Sequence, residues 1–341
     1  MTSMNALVLK EYCKFAYEEV PLPSLGPEDV LIAVKACGIC GSDVHGMDGS
    51  TGRRRPPIIM GHEAAGVIAE TGSAVRIWKK GQRVTFDSTV YCGECQFCRR
   101  SEVNLCDHRR VLGVSCEDYS QNGAFADFVA VPQRVLYPLS DSLSFEHGAL
   151  VEPFAIALHA IRRTRLAPTD VAVVIGCGMI GLALIQVLKA TGCAQIIAVD
   201  VVKEKLLQAQ KLGATRVIDS SATPTPEIHS IGADAAFEAV GLSSTVDLAV
   251  RCLRKGGSAV LVGNVSPKVE LPLQIAVTRE ISMFGSCASA GEYPACLDLL
   301  ARGAITAAPL LSAVAPLKEG AAWFERLAAS EPGLLKVVLT P

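Results

Sequence analysis

The hydrophobic and polar positions of the chain follow successive patterns that predict different kinds of structure. From Asn5 to about Ser140, short apolar runs are interrupted at close intervals by Gly and Pro. That spacing is typical of a β-rich domain with many turns. The strands predicted in this region are Ala6–Leu9, Asp29–Ala36, Gly66–Glu70, Arg83–Phe86 and Ala126–Val131.

From about Phe154 to Ser286, apolar strands alternate with segments of helical period. This alternation predicts a parallel sheet with helices on both faces. The predicted strands are Val171–Ile175, Ile196–Asp200, Val217–Asp219, Ala235–Ala239 and Ala259–Val262, and the helices are Gly178–Thr191 and Lys203–Leu212. Beyond this region we expect helices at Tyr293–Arg302 and Glu319–Ala329 and a strand at Leu335–Leu339, while the Pro-rich stretch Thr223–Pro226 predicts a loop.

Composition and charge narrow the class of protein. A chain of 341 residues predicts two domains, and 50% hydrophobic with 19% charged residues excludes a disordered chain. A net charge of −2 argues against a sequence-independent nucleic-acid binder, which needs a basic face. No segment reaches 18 uncharged apolar residues, and the N-terminus lacks the basic and apolar regions of a signal peptide. We therefore expect a cytoplasmic protein without membrane spans.

Four of the thirteen cysteines share one spacing, Cys92-x2-Cys95-x2-Cys98-x7-Cys106. Four thiolates around a tetrahedral Zn²⁺ close a structural site that has no open position for substrate. The alternative is a set of buried apolar thiols or disulfides, but the neighbouring residues are polar and a cytosolic setting disfavours disulfides. The spacing predicts a structural zinc.

A second constellation consists of Gly-Ile-Cys40-Gly-Ser-Asp-Val-His45 followed by Gly-His62-Glu63. Cys40 and His62 are suitable zinc ligands, and Glu63 or a later carboxylate can supply a third. Taken alone, the pattern also fits a buried cysteine and a core histidine.

A glycine-rich turn, Gly176-x-Gly178-x-x-Gly181, directly follows a predicted strand and opens a helix. Such a turn brings the backbone and a helix N-terminus to a pyrophosphate. Asp200 ends the next strand, 19 residues past Gly181. A carboxylate there binds ribose hydroxyls and repels a 2′-phosphate, which favours NAD over NADP.

These motifs, together with Gly148-Ala-Leu-Val-Glu152-Pro153, resemble the zinc-dependent medium-chain dehydrogenases. The chain is most similar to the polyol branch, which contains sorbitol and galactitol-phosphate dehydrogenases. The resemblance covers nearly the whole chain, with five motifs in the family's order. It implies an α/β architecture: a GroES-like catalytic domain at 1–153 and 288–341, a Rossmann NAD-binding domain at 154–287, and an active site in the cleft between them. It also implies a homodimer or homotetramer.

The resemblance implies roles for individual residues of the metal site. Cys40 and His62 would bind a catalytic zinc, with Glu63 slightly favoured as a third ligand and Glu152 as a ligand or a contact to water or substrate. Asp43 would orient a ligand, while Ser42 and His45 would pass the substrate's proton outward. The alternatives are a turn hydroxyl for Ser42 and a surface imidazole for His45.

The resemblance also implies a set of cofactor contacts. Lys205 would reach a ribose, although a solvated helix lysine is an equal alternative, and Cys177 would only fill space in the glycine turn. The expected dinucleotide contacts are Gly176, Gly178, Met179, Ile180, Gly181, Asp200, Lys205, Val262, Gly263, Asn264, Cys287, Ala288 and Ser289.

The sequence departs from sorbitol dehydrogenases at positions that contact substrate. Gly46 replaces an aromatic residue, and Ala288-Ser289 replaces an Arg-Tyr pair. Arg53-Arg54-Arg55 suggests either recognition of a sugar-alcohol phosphate or, more simply, a solvated basic turn. We therefore predict NAD-dependent oxidation of a secondary hydroxyl of a polyol or sugar derivative. The alternatives are a sugar-alcohol phosphate, a simple or amino alcohol, and, more remotely, a non-catalytic zinc-stabilised dinucleotide-binding protein.

Overall fold

A computed structural model describes residues 2–116 and 118–341 of the chain. The first 149 residues are dominated by strands. The strands are β1 Ser3–Glu11, β2 Lys14–Pro21, β3 Asp29–Gly38, β4 Ile58–Ile59, β5 Glu63–Thr71, β6 Arg83–Phe86, β7 Thr89–Val90, β8 Arg110–Val111, β9 Val114–Ser115, β10 Ser120–Gln121, β11 Phe128–Pro132 and β12 Leu136–Pro138. The helices among them are α1 Gly41–Gly46, α2 Gln96–Arg99 and α3 Phe145–Ala149.

Strands and helices alternate in the following part of the chain. The strands are β13 Val171–Ile175, β14 Gln195–Asp200, β15 Arg216–Asp219, β16 Ala233–Glu238, β17 Leu253–Leu261 and β18 Ser282–Gly285. The helices are α4 Val151–Arg162, α5 Met179–Ala190, α6 Lys203–Leu212, α7 Thr225–His229, α8 Ser243–Arg251, α9 Leu273–Thr278 and α10 Tyr293–Ala301. The chain continues with β19 Leu311–Pro316, α11 Gly320–Ala328 and β20 Lys336–Thr340. Short 3₁₀ turns lie at Val103–Leu105, Gln133–Val135, Ala308–Leu310 and Leu317–Glu319.

The chain folds as two compact units. The first comprises Met1–Glu152, Tyr293–Ala301 and Ala307–Pro341, and the second comprises Pro153–Glu292 and Arg302–Thr306. None of the helices of residues 2–116 and 118–341 has the length and apolar character needed to cross a membrane.

The first unit is built on a mixed sheet in the order β12-β6-β5-β3-β20-β19, with β11 also paired to β3. β20 and β5 are both antiparallel to β3, so their first residues come close to the end of β3. A smaller sheet, β2-β1-β4, packs its apolar residues into the same core. This arrangement gathers chain segments that are hundreds of residues apart in sequence.

The second unit contains a six-stranded parallel sheet in the order β15-β14-β13-β16-β17-β18. The central strand β13, Val-Ala-Val-Val-Ile, is apolar along its whole length and almost entirely buried. A strand covered on both faces is expected to lack polar alternation. Because all six strands run the same way, their carboxyl ends lie at one edge of the sheet.

The predicted bounds of Arg83–Phe86, Val171–Ile175 and Lys203–Leu212 agree with β6, β13 and α6. The loop predicted at Thr223–Pro226 is wrong in its second half, because α7 begins at Thr225 with Pro226 in its first turn. Proline is tolerated there since the first helical N–H groups have no partner within the helix. The strand β2 and the helix α4 were not predicted.

Candidate functional site

The four cysteines of the Cys92–Cys106 segment converge around the short helix α2. Their sulfur atoms lie within 4.8 Å of one another, with Sγ–Sγ distances of 3.9 Å from Cys92 to Cys98 and 3.5 Å from Cys95 to Cys98. A tetrahedral zinc with Zn–S bonds of about 2.3 Å needs sulfur separations of about 3.8 Å. The geometry therefore fits a zinc bound by four thiolates.

Backbone N–H groups point at these sulfur atoms, as thiolates require. Cys92 Sγ accepts from the N–H groups of Glu94 and Cys95, both at 3.4 Å, and Cys106 Sγ accepts from that of His108 at 3.4 Å. Hydrogen bonds from backbone N–H groups lower the pKa of Cys95 to about 6, and the N–H of Cys98 contributes most. No disulfide joins any of the thirteen cysteines, all of which lie within the described residues.

Cys40, His62 and Glu63 form the second group of converging ligand atoms, within 4.8 Å of one another. Cys40 caps the start of α1, and Glu63 is the first residue of β5, paired with Gly38 at the end of β3. A Cβ at Gly38 would lie only 2.4 Å from Glu63 Oε2, so the absence of a side chain there makes room for the carboxylate. The local backbone thus brings together the three side chains that the sequence pattern indicates.

His62 is buried, and its Nδ1 lies 3.4 Å from Asp43 Oδ1 without forming a hydrogen bond within the described part of the chain. Because Nδ1 faces Asp43, Nε2 is the nitrogen left for a metal. Burial acts against the charged form, but the neighbouring Asp43 and Cys40 hold the pKa of His62 well above its ordinary value. The anionic neighbours of His62 therefore favour positive charge on its ring.

Asp43 is fully buried and makes contacts that orient its carboxylate. Its Oδ1 accepts a hydrogen bond of 2.8 Å from Arg54 Nη2, and its Oδ2 accepts one of 3.2 Å from the Cys40 N–H. Although burial would raise its pKa, the charges of His62 and Arg54 hold the pKa of Asp43 well below its usual range. These contacts favour the ionised form of Asp43, whose carboxylate lies between His62 and the backbone of Cys40.

The sequence suggested that Arg53-Arg54-Arg55 either recognises a phosphate or forms a solvated turn, and for the central residue, Arg54, both interpretations are wrong. Arg54 is only 3% exposed and pairs with Asp43, so it is neither part of a solvated turn nor free to bind a phosphate. The aliphatic part of the Arg54 side chain lies against Gly46, the position where sorbitol dehydrogenases carry an aromatic residue. Arg53 and Arg55 are exposed.

Lys336, at the start of β20, is the residue of this site that sequence reasoning missed. Its Nζ lies 2.8 and 2.7 Å from the two oxygens of Glu63, and both side chains are buried. The only sequence signal was a lone lysine entering an apolar strand.

Glu152, in the first turn of α4, does not belong to the group of three ligand atoms found among the described residues. Burial and the charge of Glu63 raise its pKa to about 8, and His62 and Lys336 act on it in the opposite direction. Glu152 is therefore a carboxyl group within electrostatic reach of the site.

Ser42 and His45 lie three residues apart on α1, and both are exposed. Ser42 Oγ is 3.5 Å from Arg54 Nη2, at the margin of a hydrogen bond. Helical residues three apart share a face, so the two side chains follow one another along the helix surface.

The glycine turn occupies the carboxyl end of β13, with Gly178 immediately before α5. A Cβ at Gly181 would lie 1.8 Å from the Gly176 carbonyl oxygen, so only glycine permits this approach of helix to turn. Met179 and Ile180 form the first turn of α5 with their N–H groups at its N-terminus. This end of the helix suits an anion.

Asp200, the last residue of β14, is adjacent to this turn. Its Oδ2 accepts a hydrogen bond of 2.6 Å from the Cys177 N–H, and its Oδ1 accepts one of 2.9 Å from the Val202 N–H. Cys177 is buried, and burial raises its pKa to about 12, so this thiol fills space rather than reacts. Lys205 is half-buried on α6 close enough to Cys177 to influence its pKa.

The remaining predicted cofactor contacts lie at the same edge of the parallel sheet. Val262-Gly263-Asn264 follows β17, and Cys287-Ala288-Ser289 follows β18. The edge also contains Glu238, at the end of β16, which sequence reasoning missed. Its Oε1 accepts from the N–H groups of Val240 and Gly241 at 2.9 and 2.7 Å and fixes the adjoining loop. A carboxylate that ends a strand was the available signal, as at Asp200.

Comparison with known proteins identifies both parts of the chain. Residues 26–141 match the family model of the alcohol dehydrogenase GroES-like domain, and residues 180–302 match that of the zinc-binding dehydrogenases. Sorbitol dehydrogenase of Bacillus subtilis strain 168 is 34% identical over 99% of this chain and 98% of its own length.

Two solved structures are similar over the full length of this chain. A zinc-binding dehydrogenase of Sinorhizobium meliloti 1021, bound to NADP, is 31% identical with a TM-score of 0.90 and 100% coverage of both chains. An alcohol dehydrogenase of Escherichia coli CFT073, complexed with NADH, is 28% identical with a TM-score of 0.93 and the same coverage.

The chain belongs to the zinc-dependent medium-chain dehydrogenase family and, within it, to the polyol branch. It is an oxidoreductase, and the predicted fold of a GroES-like and a Rossmann-type domain is confirmed. Membership also confirms zinc and a nicotinamide dinucleotide as its cofactors.

Proposed function

We propose that this enzyme oxidises a secondary hydroxyl group of a polyol or sugar derivative and transfers the hydride to NAD. The observation that carries the proposal is the convergence of Cys40, His62 and Glu63 beside a buried Asp43. Similarity to a sorbitol dehydrogenase along the whole chain supports the substrate class.

Two zinc ions per chain are part of this proposal. Cys92, Cys95, Cys98 and Cys106 hold the structural ion, and their four thiolates leave no position for substrate. Cys40 and His62 hold the catalytic ion, with Glu63 or Glu152 as a further ligand. A zinc ion at that site supplies a Lewis acid that lowers the pKa of a bound hydroxyl.

The proton of that hydroxyl leaves through side chains of α1. Ser42 accepts it first, and His45, on the same face of the helix, passes it to solvent. The exposure of both residues supports an outward path. Where Glu152 is not itself a ligand, it contacts the substrate or a water molecule, because it is a carboxyl group near His62 and Lys336 that lies outside the three converging ligands.

The dinucleotide binds along the carboxyl edge of the parallel sheet. Its pyrophosphate meets the N–H groups at the start of α5, and Asp200, with Lys205 nearby, contacts the adenosine ribose. The Asp200 carboxylate repels a 2′-phosphate, which favours NAD over NADP. Val262–Asn264 and Cys287–Ser289 line the nicotinamide.

A free polyol is favoured over a sugar-alcohol phosphate by one observation. Arg54 is already paired with Asp43, so the arginine triplet does not act as a unit that could clamp a phosphate group. The exposed Arg53 and Arg55 do not by themselves form an enclosed anion site.

A screen for NADH formation tests this function. The purified enzyme is offered polyols, polyol phosphates, simple alcohols and amino alcohols, each with NAD and, as a control, with NADP. We expect the highest kcat/KM for a free polyol with NAD. Metal analysis of the same sample should find two zinc ions per chain, one of which a chelator removes together with the activity.

Two results would contradict the proposal. Turnover with none of the alcohols would leave the non-catalytic alternative, and a chain that binds zinc only at the four cysteines would exclude metal-assisted oxidation. A phosphate ester used at least tenfold better than its free polyol would reverse the choice of substrate.

We also propose that the protein is a cytoplasmic homodimer or homotetramer. The absence of disulfides among the thirteen cysteines, all of which lie within the described residues, is consistent with a reducing compartment. β18 is an edge strand of the parallel sheet, and exposed edges are sites of pairing between chains. Large apolar side chains are exposed nearby in sequence, at Val265, Val269, Leu271, Leu273 and Val277. Light scattering coupled to size-exclusion chromatography measures the mass that decides this.

A further inference from the structure

A surface cavity of about 370 Å³ in the second unit is lined by arginines from two separate segments of the chain. Arg162, Arg163 and Arg165 come from the end of α4 and the loop after it, whereas Arg254 comes from the start of β17. Small-molecule sites commonly have volumes of about 300–1,000 Å³. The cavity is therefore large enough for a small ligand.

The two carboxylates of this cavity are already hydrogen-bonded. Asp234 Oδ1 accepts a bond of 2.6 Å from Arg254 Nε, and its Oδ2 accepts one of 2.8 Å from the Val171 N–H. Asp170 Oδ2 accepts a bond of 2.8 Å from the Ala167 N–H. Four guanidinium groups thus line the cavity with only two carboxylates, which leaves the lining with a surplus of positive charge.

Two of the four arginines are oriented by polar contacts. Arg162 Nη1 donates to Glu292 Oε1 at 3.1 Å, and Arg254 Nη1 donates to the carbonyl oxygen of Lys255 at 2.9 Å. The Nη2 of each donates to no acceptor within the residues that the structure describes. The side chains are 52% and 53% exposed, so these N–H groups are open to a ligand from solvent.

The other two arginines lie in the loop after α4. Arg163 Nε donates to the carbonyl oxygen of Gly285 at 3.2 Å, and its guanidinium lies 5.7 Å from the centroid of the Phe284 ring. Arg165 is exposed and has no hydrogen bond or ion pair in the described part of the chain. Each of these two residues therefore also retains N–H donors for a ligand, because a guanidinium has five.

This combination of charge and free donors suits an oxyanion. Guanidinium groups bind phosphate and carboxylate through pairs of parallel N–H groups. A cleft with one predominant sign of charge also concentrates ions of the opposite sign. Cations are favourable at the C-terminus of a helix, which accounts for Arg162 but not for Arg254 on another element. The convergence of the two segments requires a further explanation.

We propose that the arginine cavity binds a small phosphorylated molecule that carries a second anionic group. The surplus positive charge balances a ligand with more than one negative charge, and the volume accommodates more than a single phosphate group. The lining residues contribute neither to the metal sites nor to the predicted dinucleotide contacts. The proposal therefore does not depend on the alcohol oxidation, and the failure of one does not imply the failure of the other.

Isothermal titration calorimetry with 2-phosphoglycolate tests the proposal. This probe has a phosphate and a carboxylate but no hydroxyl group that a dehydrogenase could oxidise. The full-length zinc-loaded protein is kept in excess NADH, so that the probe does not compete for the dinucleotide site. The variants are Arg163→Gln/Arg165→Gln and Arg165→Gln. Arg53→Gln/Arg55→Gln, which removes the same charge from two other exposed arginines, is the control.

We expect one probe molecule to bind per chain. Arg163→Gln/Arg165→Gln should weaken binding by at least about tenfold, and Arg165→Gln by about threefold or more, because charge-assisted hydrogen bonds are lost. The control should stay within about twofold of the parent, since salt screens distant charges. Inorganic phosphate, which lacks the second anionic group, should bind the parent at least about tenfold more weakly than the probe.

Several results would overturn the proposal. One is the absence of saturable binding, and another is an unchanged affinity in a folded Arg163→Gln/Arg165→Gln, which would place the probe elsewhere on the protein. Equal weakening in the control would show a general attraction of anions, and equal affinity for inorganic phosphate would exclude recognition of a second anionic group. If the double variant does not fold, Arg165→Gln, which removes no described contact, decides: an unchanged affinity there overturns the proposal.

Discussion

Two regions bring potential metal ligands together: the lobe of Cys92, Cys95, Cys98 and Cys106, and the cluster of Cys40, His62 and Glu63. The surroundings of the two regions differ. In the lobe, backbone N–H groups from the same short segment point at the sulfur atoms. Around Cys40, the neighbours are charged side chains in the pairs Asp43–Arg54 and Glu63–Lys336, and the second pair joins residues 273 positions apart. Under the proposed function, the lobe needs only to hold an ion, whereas the cluster must control the charge and the open coordination position of an ion that takes part in catalysis.

The largest expected effect is the loss of turnover in Cys40→Ser. Removing a thiolate ligand should reduce kcat by more than about 10³-fold, because Lewis-acid stabilisation is worth several kcal/mol. NADH binding, measured by fluorescence titration, should stay within about twofold of the parent. Metal analysis should find one zinc per chain instead of two.

Cys98→Ser is expected to act mainly on stability, whereas Cys40→Ser acts mainly on turnover. This change opens a site whose binding energy contributes to folding, so the unfolding midpoint should fall by about 10 °C in a calorimetric scan. The exposed Cys13 provides a matched control, and Cys13→Ser should leave the midpoint unchanged. Equal losses of stability in Cys40→Ser and Cys98→Ser would contradict the assignment of a catalytic role to one site and a structural role to the other.

A smaller effect is expected of Asp43→Asn, which removes the anion facing His62 while keeping its shape. Metal affinity at the catalytic site should fall by about 10–100-fold. The zinc of the four-cysteine lobe should be retained, and chelator competition followed by metal analysis distinguishes the two ions. A release of both ions together would indicate general unfolding instead.

The smallest expected effect is a pH dependence that comes from Glu152. With the catalytic-site metal removed and the lobe zinc kept, its pKa is raised from 4.5 to about 8, so the folded state prefers the neutral carboxyl. The resulting stabilisation is complete below pH 4.5 and is lost as the pH rises towards 8. The unfolding midpoint of Glu152→Gln, relative to the parent, should therefore rise between pH 5 and pH 9.

The prediction for Glu152 is contradicted if the difference in unfolding midpoint between Glu152→Gln and the parent does not vary with pH. Measurement with the catalytic metal restored serves as the control. The pH-dependent gain of the variant should then disappear, because a bound cation keeps the carboxylate charged.

The parts of the molecule that could be predicted from sequence are those encoded locally. The four cysteines lie within fifteen residues, and the apolar run Val171–Ile175 followed by the glycine turn specifies a strand, a tight turn and a helix. Family motifs added Cys40, His62 and Glu63, which the structure brings together.

The missed features depend on contacts between separate segments of the chain. Arg54 reads as one of three exposed arginines, and only the approach of its loop to α1 buries it against Asp43. Lys336 is 273 residues from Glu63, and no local pattern reveals that β20 pairs with β3. Sequence alone therefore predicts the ligands better than the charges that surround them.

The two metal sites also differ in when they can form. The lobe's ligands are within fifteen residues, so closing that loop costs little entropy and can occur as soon as the segment is synthesised. The cluster at Cys40 receives Lys336 only when β20 joins the sheet beside β3. Folding of a chain proceeds from its N-terminal part during synthesis, and contacts between distant segments form slowly. The lobe can thus bind its zinc early, while the catalytic site is completed only after almost the entire chain shown here has been made.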